Sequence, residues 1–176
     1  SFFLALISCS AIAQKGSGEV IKKTFQVESF DGIKIGGAFE VLLRQGENQD
    51  VTLVTDDNIM ENIRVTVTDG VLKVKSKTDM NNPTELKIYI TVKDLNSIEI
   101  SGACEIVGKN TIVTKNMSIK TSGASEVEMS IRCSGLKIAS SGASELKLSG
   151  NTEVLEIETS SATTIKAEGL TSNQAF

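Results

Sequence analysis

A chain of 176 residues has room for one domain with a sizeable core. It has no His or Trp and is only 4% aromatic, which removes the usual general base, the usual zinc ligand and any Ser–His or Cys–His nucleophile pair. A formal net charge of −4, without a basic patch interleaved with aromatics, argues against nucleic acid as a partner.

Residues 1–13 (SFFLALISCSAIA) are a short apolar run ending in a small-x-small pattern. The run is too short to span a bilayer and reads as a secretory signal peptide cleaved after Ala13. It lacks an initiating Met and a basic leader, so a truncated start is expected. A rival reading is a lipoprotein box over Leu6 to Cys9, with Cys9 lipidated. Both readings take the protein out of the cytoplasm: periplasmic, outer-membrane-associated or extracellular. Residues 14–24 form a polar lead-in, and residues 25–176 the folded domain.

Thr24 to Val27 is the first expected strand. Ile35 to Val41 (IGGAFEV) introduces a motif that returns 65 residues later as Ile100 to Ile106 (ISGACEI). The interval is close to three repeat lengths, though less regular. It holds alternating stretches at Asp50 to Thr55, Ile63 to Val67, Gly70 to Lys75 and Leu86 to Val92, each predicting a strand with one buried face. Thr68-Asp69-Gly70 signals a hairpin turn. Asp57 to Asn62 predicts one helical turn, with Asp56, Asp57 and Asn58 as a cap or turn rather than a metal loop. Asp94 to Asn96 turns the chain into its regular part.

That part is a repeat: Ile98 to Ile106 (IEISGACEI), Ile119 to Val127 (IKTSGASEV), Ile138 to Leu146 (IASSGASEL), and a fading copy at Ile157 to Ile165 (IETSSATTI). The copies advance by 21, 19 and 19 residues, which implies stacked units of one supersecondary element. Alternation on both sides of Ser-Gly-Ala implies strand, corner, strand, with second turns at Ser130 to Gly135 and Ser149 to Thr152. The expected fold is all-β, a single-stranded β-helix or β-solenoid with a less regular, hairpin-like N-terminal part. Stacking ~4.8 Å apart would make inward ladders of Ile98, Ile119, Ile138 and Ile157, and of Ile106, Val127, Leu146 and Ile165.

The run from Phe30 to Gly46, Asp56-Asp57-Asn58, Asp69 to Val74 and the repeated Ser-Gly-Ala-Ser together resemble the head GIN domain family, described as auto-transporter adhesins and common in Bacteroidetes. The resemblance covers Phe25 to the end. It implies an exported, right-handed β-solenoid-like domain with no established catalytic residues to carry over. Members run on through a Gly-rich closing segment, so a C-terminal continuation is expected here.

Two columns are candidate contact surfaces. Glu105, Glu126 and Glu145 would stack as like charges, each pair costing about 0.8 kcal/mol at ~5 Å in water. Carboxylates in a row suit calcium, but the Gly- and Asp-rich nonapeptides of calcium-binding solenoids are missing. A solvated ladder relieved by Lys120, Lys137 and Lys147 is the preferred reading, with no metal or other cofactor. Ser101, Ser122 and Ser141, continued by Ser160, could dock a glycan or a protein, or serve only as small corner residues. Cys104 and Cys133 read as buried free thiols, with a disulfide as the alternative. The function expected is a non-catalytic, adhesin-like surface or secreted module with a glycan or envelope protein as partner, able to self-associate through its sheet edges. The alternatives are a carbohydrate-active enzyme on the same scaffold, since carboxylate pairs meet only in space, or a structural envelope spacer.

Overall fold

Period-two alternation dictates strands along nearly the whole chain, and the computed structural model, which describes residues 14–77 and 80–176, is all-β apart from one helical turn. The expected signal segment and Cys9 lie outside the described residues. In chain order the elements are β1 (Gln14–Lys15), β2 (Val20–Phe25), β3 (Gly32–Gly37), β4 (Glu40–Gln45), β5 (Asp50–Asp56), α1 (Asp57–Met60), β6 (Ile63–Thr68), β7 (Val71–Ser76) and β8 (Met80–Asn81). They continue as β9 (Leu86–Val92), β10 (Ser97–Gly102), β11 (Glu105–Gly108), β12 (Ile112–Val113), β13 (Asn116–Gly123), β14 (Glu126–Gly142), β15 (Glu145–Ser160) and β16 (Thr164–Ala175). Among the described residues, 14 strands form one sheet, and β1 and β8 pair separately. No helix among them is long and apolar enough to cross a membrane.

The repeats stack parallel and in register. Ile33, Ile98, Ile119, Ile138 and Ile157 align across β3, β10, β13, β14 and β15. Val41, Ile106, Val127, Leu146 and Ile165 align across β4, β11, β14, β15 and β16. Both ladders point inward and are buried until their last members, Ile157 and Ile165, which are half-buried. Each fully buried rung contributes roughly 1.5–3 kcal/mol relative to exposure.

The 65 residues between the first and second motif copies take the less regular, hairpin-like course the sequence predicts. β3 pairs directly with β10, and β4 with β11, while β7 and β9 lie on the far sides of β3 and β4. Hairpin-type pairing then finishes that end: β6 runs antiparallel to β7, β5 to β9, and β2 to β5. Asp69 and Gly70 form the β6–β7 turn, both with positive φ (52° and 72°), as a two-residue type I′ hairpin requires. β2 also starts at Val20, inside the expected lead-in, because it pairs along β5 from Asp56 to Val51.

The second turns, by contrast, are corrected. Ser130 to Gly135 and Ser149 to Thr152 are bends inside continuous strands, not loops. β14 and β15 keep their pairing through them, from Glu126↔Glu145 to Ser141↔Ser160. Separate strands β11, β12 and β13 oppose successive parts of β14, so each layer has three flat stretches. Ile131, Cys133 and Thr152 point inward there, which keeps the bend anchored.

The Ser-Gly-Ala corners stack as tightly. Gly102, Gly123 and Gly142 have φ of 97°, 95° and 103°. A Cβ on Gly102 would lie 2.3 Å from the Gly37 carbonyl oxygen, and on Gly123 or Gly142 it would lie 2.4 Å from the oxygen of the glycine one layer before. Ala103, Ala124 and Ala143 donate their N–H groups to those same oxygens, each at 2.8 Å. In the fading repeat Ser161 follows Ser160, the partner of Ser141, and takes the glycine's place with φ 109°.

Asp56 fixes the N-terminal segment. Its carboxylate is fully buried and accepts from Gly18 N at 2.7 Å, Thr84 N at 2.7 Å and Thr84 Oγ1 at 2.8 Å. It stands at the N-cap of α1, the position the cap-or-turn reading gives it, but makes no side-chain cap, and Asp57 Oδ1 accepts from Asn58 N. Burial alone would raise the Asp56 pKa, but the hydrogen bonds from Thr84 and Gly18 outweigh it and hold the carboxyl below its usual value.

Gly123→Ala is expected to destabilise the fold by about 3 kcal/mol, from positive-φ strain and carbonyl overlap together, whereas Ser161→Gly should stabilise it by about 1 kcal/mol; urea melts check both. Because the folded Asp56 pKa is depressed, its contribution is complete above the unfolded value of about 3.9 and is lost as pH falls through the folded value. Asp56→Ala should cost about 3 kcal/mol at pH 7, and the gap between variant and parent should narrow in melts below about pH 4.

Candidate functional site

In a parallel in-register stack, every outward position becomes a straight column of equivalent side chains. The serine column is one. Ser101, Ser122, Ser141 and Ser160 align across β10, β13, β14 and β15. Ser101 and Ser141 are exposed and Ser122 is half-buried. Ser122 Oγ donates to the Ile100 carbonyl and Ser141 Oγ to the Thr121 carbonyl, both at 3.4 Å, so the hydroxyls serve the corner backbone while facing outward. Beside them the row Glu99, Lys120, Ala139, Glu158 dips at Ala139, leaving a shallow groove of about 460 Å³ floored by Ala139 with Ser122 and Ser141 at its side.

Ser125 and Ser144 are buried on the other side of the corner. Ser125 Oγ donates to the Gly102 carbonyl at 3.3 Å, and Cys104 Sγ, one layer earlier, contacts the Gly37 carbonyl at 3.5 Å. Cys104 therefore does the job of a corner serine. Cys133 Sγ lies 3.5 Å from Thr152 Oγ1. Both cysteines are free, and burial pushes both thiol pKa values up, so neither is an activated nucleophile.

The carboxylate column is the second. Glu105, Glu126 and Glu145 align as expected, and Glu40 adds a fourth member that sequence reading missed. Its charge is met locally at three of the four members, and Glu105 has no lysine within 4.0 Å among the described residues. Lys147 Nζ lies 2.6 Å from Glu126 and 3.6 Å from Glu145, Lys166 Nζ 2.8 Å from Glu145, and Lys87 Nζ 3.5 Å from Glu40. Lys137, expected beside this column, turns instead to Glu156 at 2.7 Å and Glu158 at 3.3 Å, and Lys120 borders the serine groove. The Lys166 hydrogen bond, with attraction from Lys166 and Lys147, holds the Glu145 carboxyl below its usual value despite partial desolvation. The hydrogen bond to Glu126 raises Lys147. A carboxyl held ionised is a poor proton donor, so Glu145 is unsuited to general acid catalysis.

A third feature went unnoticed in the sequence. Tyr89, the chain's single Tyr, sits mid-strand in β9 with its side chain outward and 43% exposed. Lys22, Arg44 and Lys109 line the same depression of about 330 Å³, together with Asp50 and Thr52. Arg44 Nε donates to Thr91 Oγ1 at 3.1 Å, which fixes the guanidinium against the sheet. The available signal was an aromatic residue at a polar-phase position of an alternating strand.

Residues 29–175 match the family described as "Putative auto-transporter adhesin, head GIN domain". Among solved structures the chain is similar to a putative adhesin from Bacteroides fragilis at 25% identity, with 92% of this chain and 76% of that one covered and a TM-score of 0.85. A putative lipid binding protein and a putative adhesin, both from Parabacteroides distasonis and both 18% identical, share the fold with TM-scores of 0.75 and 0.74; the alignments cover 92% and 93% of this chain and 78% and 79% of theirs. No curated protein matches the chain. The stacked Ser-Gly-Ala corners lie within the matched span, and on that match the chain belongs to the head GIN domain family.

Proposed function

We propose that the chain is an exported, non-catalytic, adhesin-like binding module at the cell surface or in secreted form, which engages a surface glycan or an envelope protein. The observation that carries this reading is the straight, open display of side chains: polar columns on rigid parallel strands, above shallow grooves instead of an enclosed cleft. Ordered columns at a fixed spacing suit a repetitive or extended partner, whereas small-substrate enzymes enclose most of their ligand.

The winding is a right-handed β-solenoid with layers of 19–21 residues. Supporting this are the parallel register at those steps and the right hand of about 98% of parallel crossover connections. In this reading Ser101, Ser122 and Ser141 form one contact column and Glu105, Glu126 and Glu145 the other. The adhesin descriptions of the family and of the Bacteroides fragilis relative support the same role.

The chain is expected to retain one glycan class on an array, or one protein from a cell-envelope extract, without cleaving it. Ser122→Glu with Ser141→Glu should weaken that binding about tenfold, or ~1.4 kcal/mol. Turnover of a polysaccharide, or a folded chain that retains neither kind of partner, would overturn the reading.

A further inference from the structure

We propose that the outer face centred on Tyr89 is a binding site for a carboxylated saccharide. The inference rests on the binding-module reading but assigns a different surface and a ligand class. Three observations carry it.

The first is charge. Among the described residues only Lys34, Lys87, Lys137, Lys147 and Lys166 have a carboxylate within 4.0 Å, so what marks this face is its local charge balance and not the lack of ion pairs. Among the described residues, none of Lys22, Arg44 and Lys109 has a carboxylate within 4.0 Å, although the chain as a whole is negative. The depression they line holds three cations against one carboxylate, Asp50. Cations gathered on an acidic protein favour an anion.

The second is the ring. Tyr89 is 43% exposed in the middle of a flat sheet, flanked by Thr52 on β5 and Leu42 on β4. An aromatic ring held on a rigid strand offers an apolar surface with a polar tip at low entropic cost. The C–H face of a sugar ring complements that surface; a bare phosphate or a carboxylate peptide makes no use of it.

The third is the polar frame. Arg44, anchored through Nε to Thr91, can present its remaining N–H groups as a planar fork that pairs two-pronged with a carboxylate. Thr52 Oγ1, itself buried, donates to Asp50 Oδ2 at 3.2 Å and lies 2.9 Å from Thr24 Oγ1, which fixes the half-buried Asp50 carboxylate as an acceptor on this face. Aromatic platform, fork for a carboxylate, and a fixed acceptor for sugar hydroxyls together describe a uronate-type sugar.

The test uses the 176-residue chain, with oligogalacturonate, neutral dextran and polyaspartate as probes in calorimetry and on an array. Oligogalacturonate should bind, and dextran and polyaspartate should bind at least about tenfold more weakly. Tyr89→Ala and Arg44→Lys should each weaken oligogalacturonate binding by about tenfold, the latter with charge conserved, while Tyr89→Phe should leave it within about threefold. Unchanged urea melts for the Tyr89 and Arg44 variants separate binding from folding. Equal binding of polyaspartate, insensitivity to Tyr89→Ala, or no binding of oligogalacturonate would overturn the inference. Retention of a neutral glycan or an envelope protein in those cases would leave the binding-module reading standing.

Discussion

Everything in this fold depends on how closely one corner can sit on the next. At Gly102, Gly123 and Gly142 the backbone turns with positive φ while its Cα faces the preceding glycine's carbonyl, which simultaneously accepts an alanine N–H. A side chain at that point would separate the layers and break the hydrogen bond together. With the corner fixed, the strands on both sides have only one register available, and period two then sends Ile138 and Leu146 inward and Lys137, Ala139 and Glu145 toward the surface. The core follows from the corner, not the reverse.

The same constraint explains where the stack loosens. After Gly142 comes Ser161, and the ladders that were fully buried become half-buried at Ile157 and Ile165. The core polarity changes as well. The row that is Ile35 and Ile100 becomes Thr121 and then Ser140, and the hydroxyls of Thr121, Ser140 and Thr163 satisfy one another at 2.6 and 2.8 Å. At the opposite end antiparallel pairing replaces parallel layers, and β2, one edge of the sheet, carries the exposed Lys23, a charge that discourages edge-to-edge pairing.

The repeat was legible because each copy states the same local rule in the same order. Three short tokens, an apolar residue, Ser-Gly-Ala, and a second apolar residue, define both ladders and both columns, and the pairing of Ile98 with Ile119 and of Glu126 with Glu145 follows directly. The N-terminal part was legible only locally. Asp69-Gly70 announces its hairpin, but nothing in residues 38–96 states that β10 returns to β3 instead of continuing past β7. That choice is made by long-range pairing, which local propensity does not encode. Asp56 misled for a similar reason. Its cap position is a local property, whereas its partners Gly18 and Thr84 are 38 and 28 residues away. Glu40 escaped notice because the first motif copy lacks serine.

The Tyr89 face was illegible for an instructive reason. The serine and glutamate columns repeat, and what repeats in a stack is set first by the stack. Serines lend hydroxyls to corner carbonyls, and Glu126 and Glu145 are neutralised by lysines one layer away. Such features agree with the fold at every level, so a contact role for them rests on their display and not on their recurrence. Tyr89, Arg44, Lys22 and Lys109 come from strands β9, β4 and β2 and the segment after β11, appear once each, and belong to no repeated column. They put an exposed ring and three cations against one carboxylate in a single depression. A local departure that the scaffold does not require is where selection for a partner is most visible, and it is found on the irregular, non-repeating half of the molecule, where a single side chain can be changed without disturbing a column.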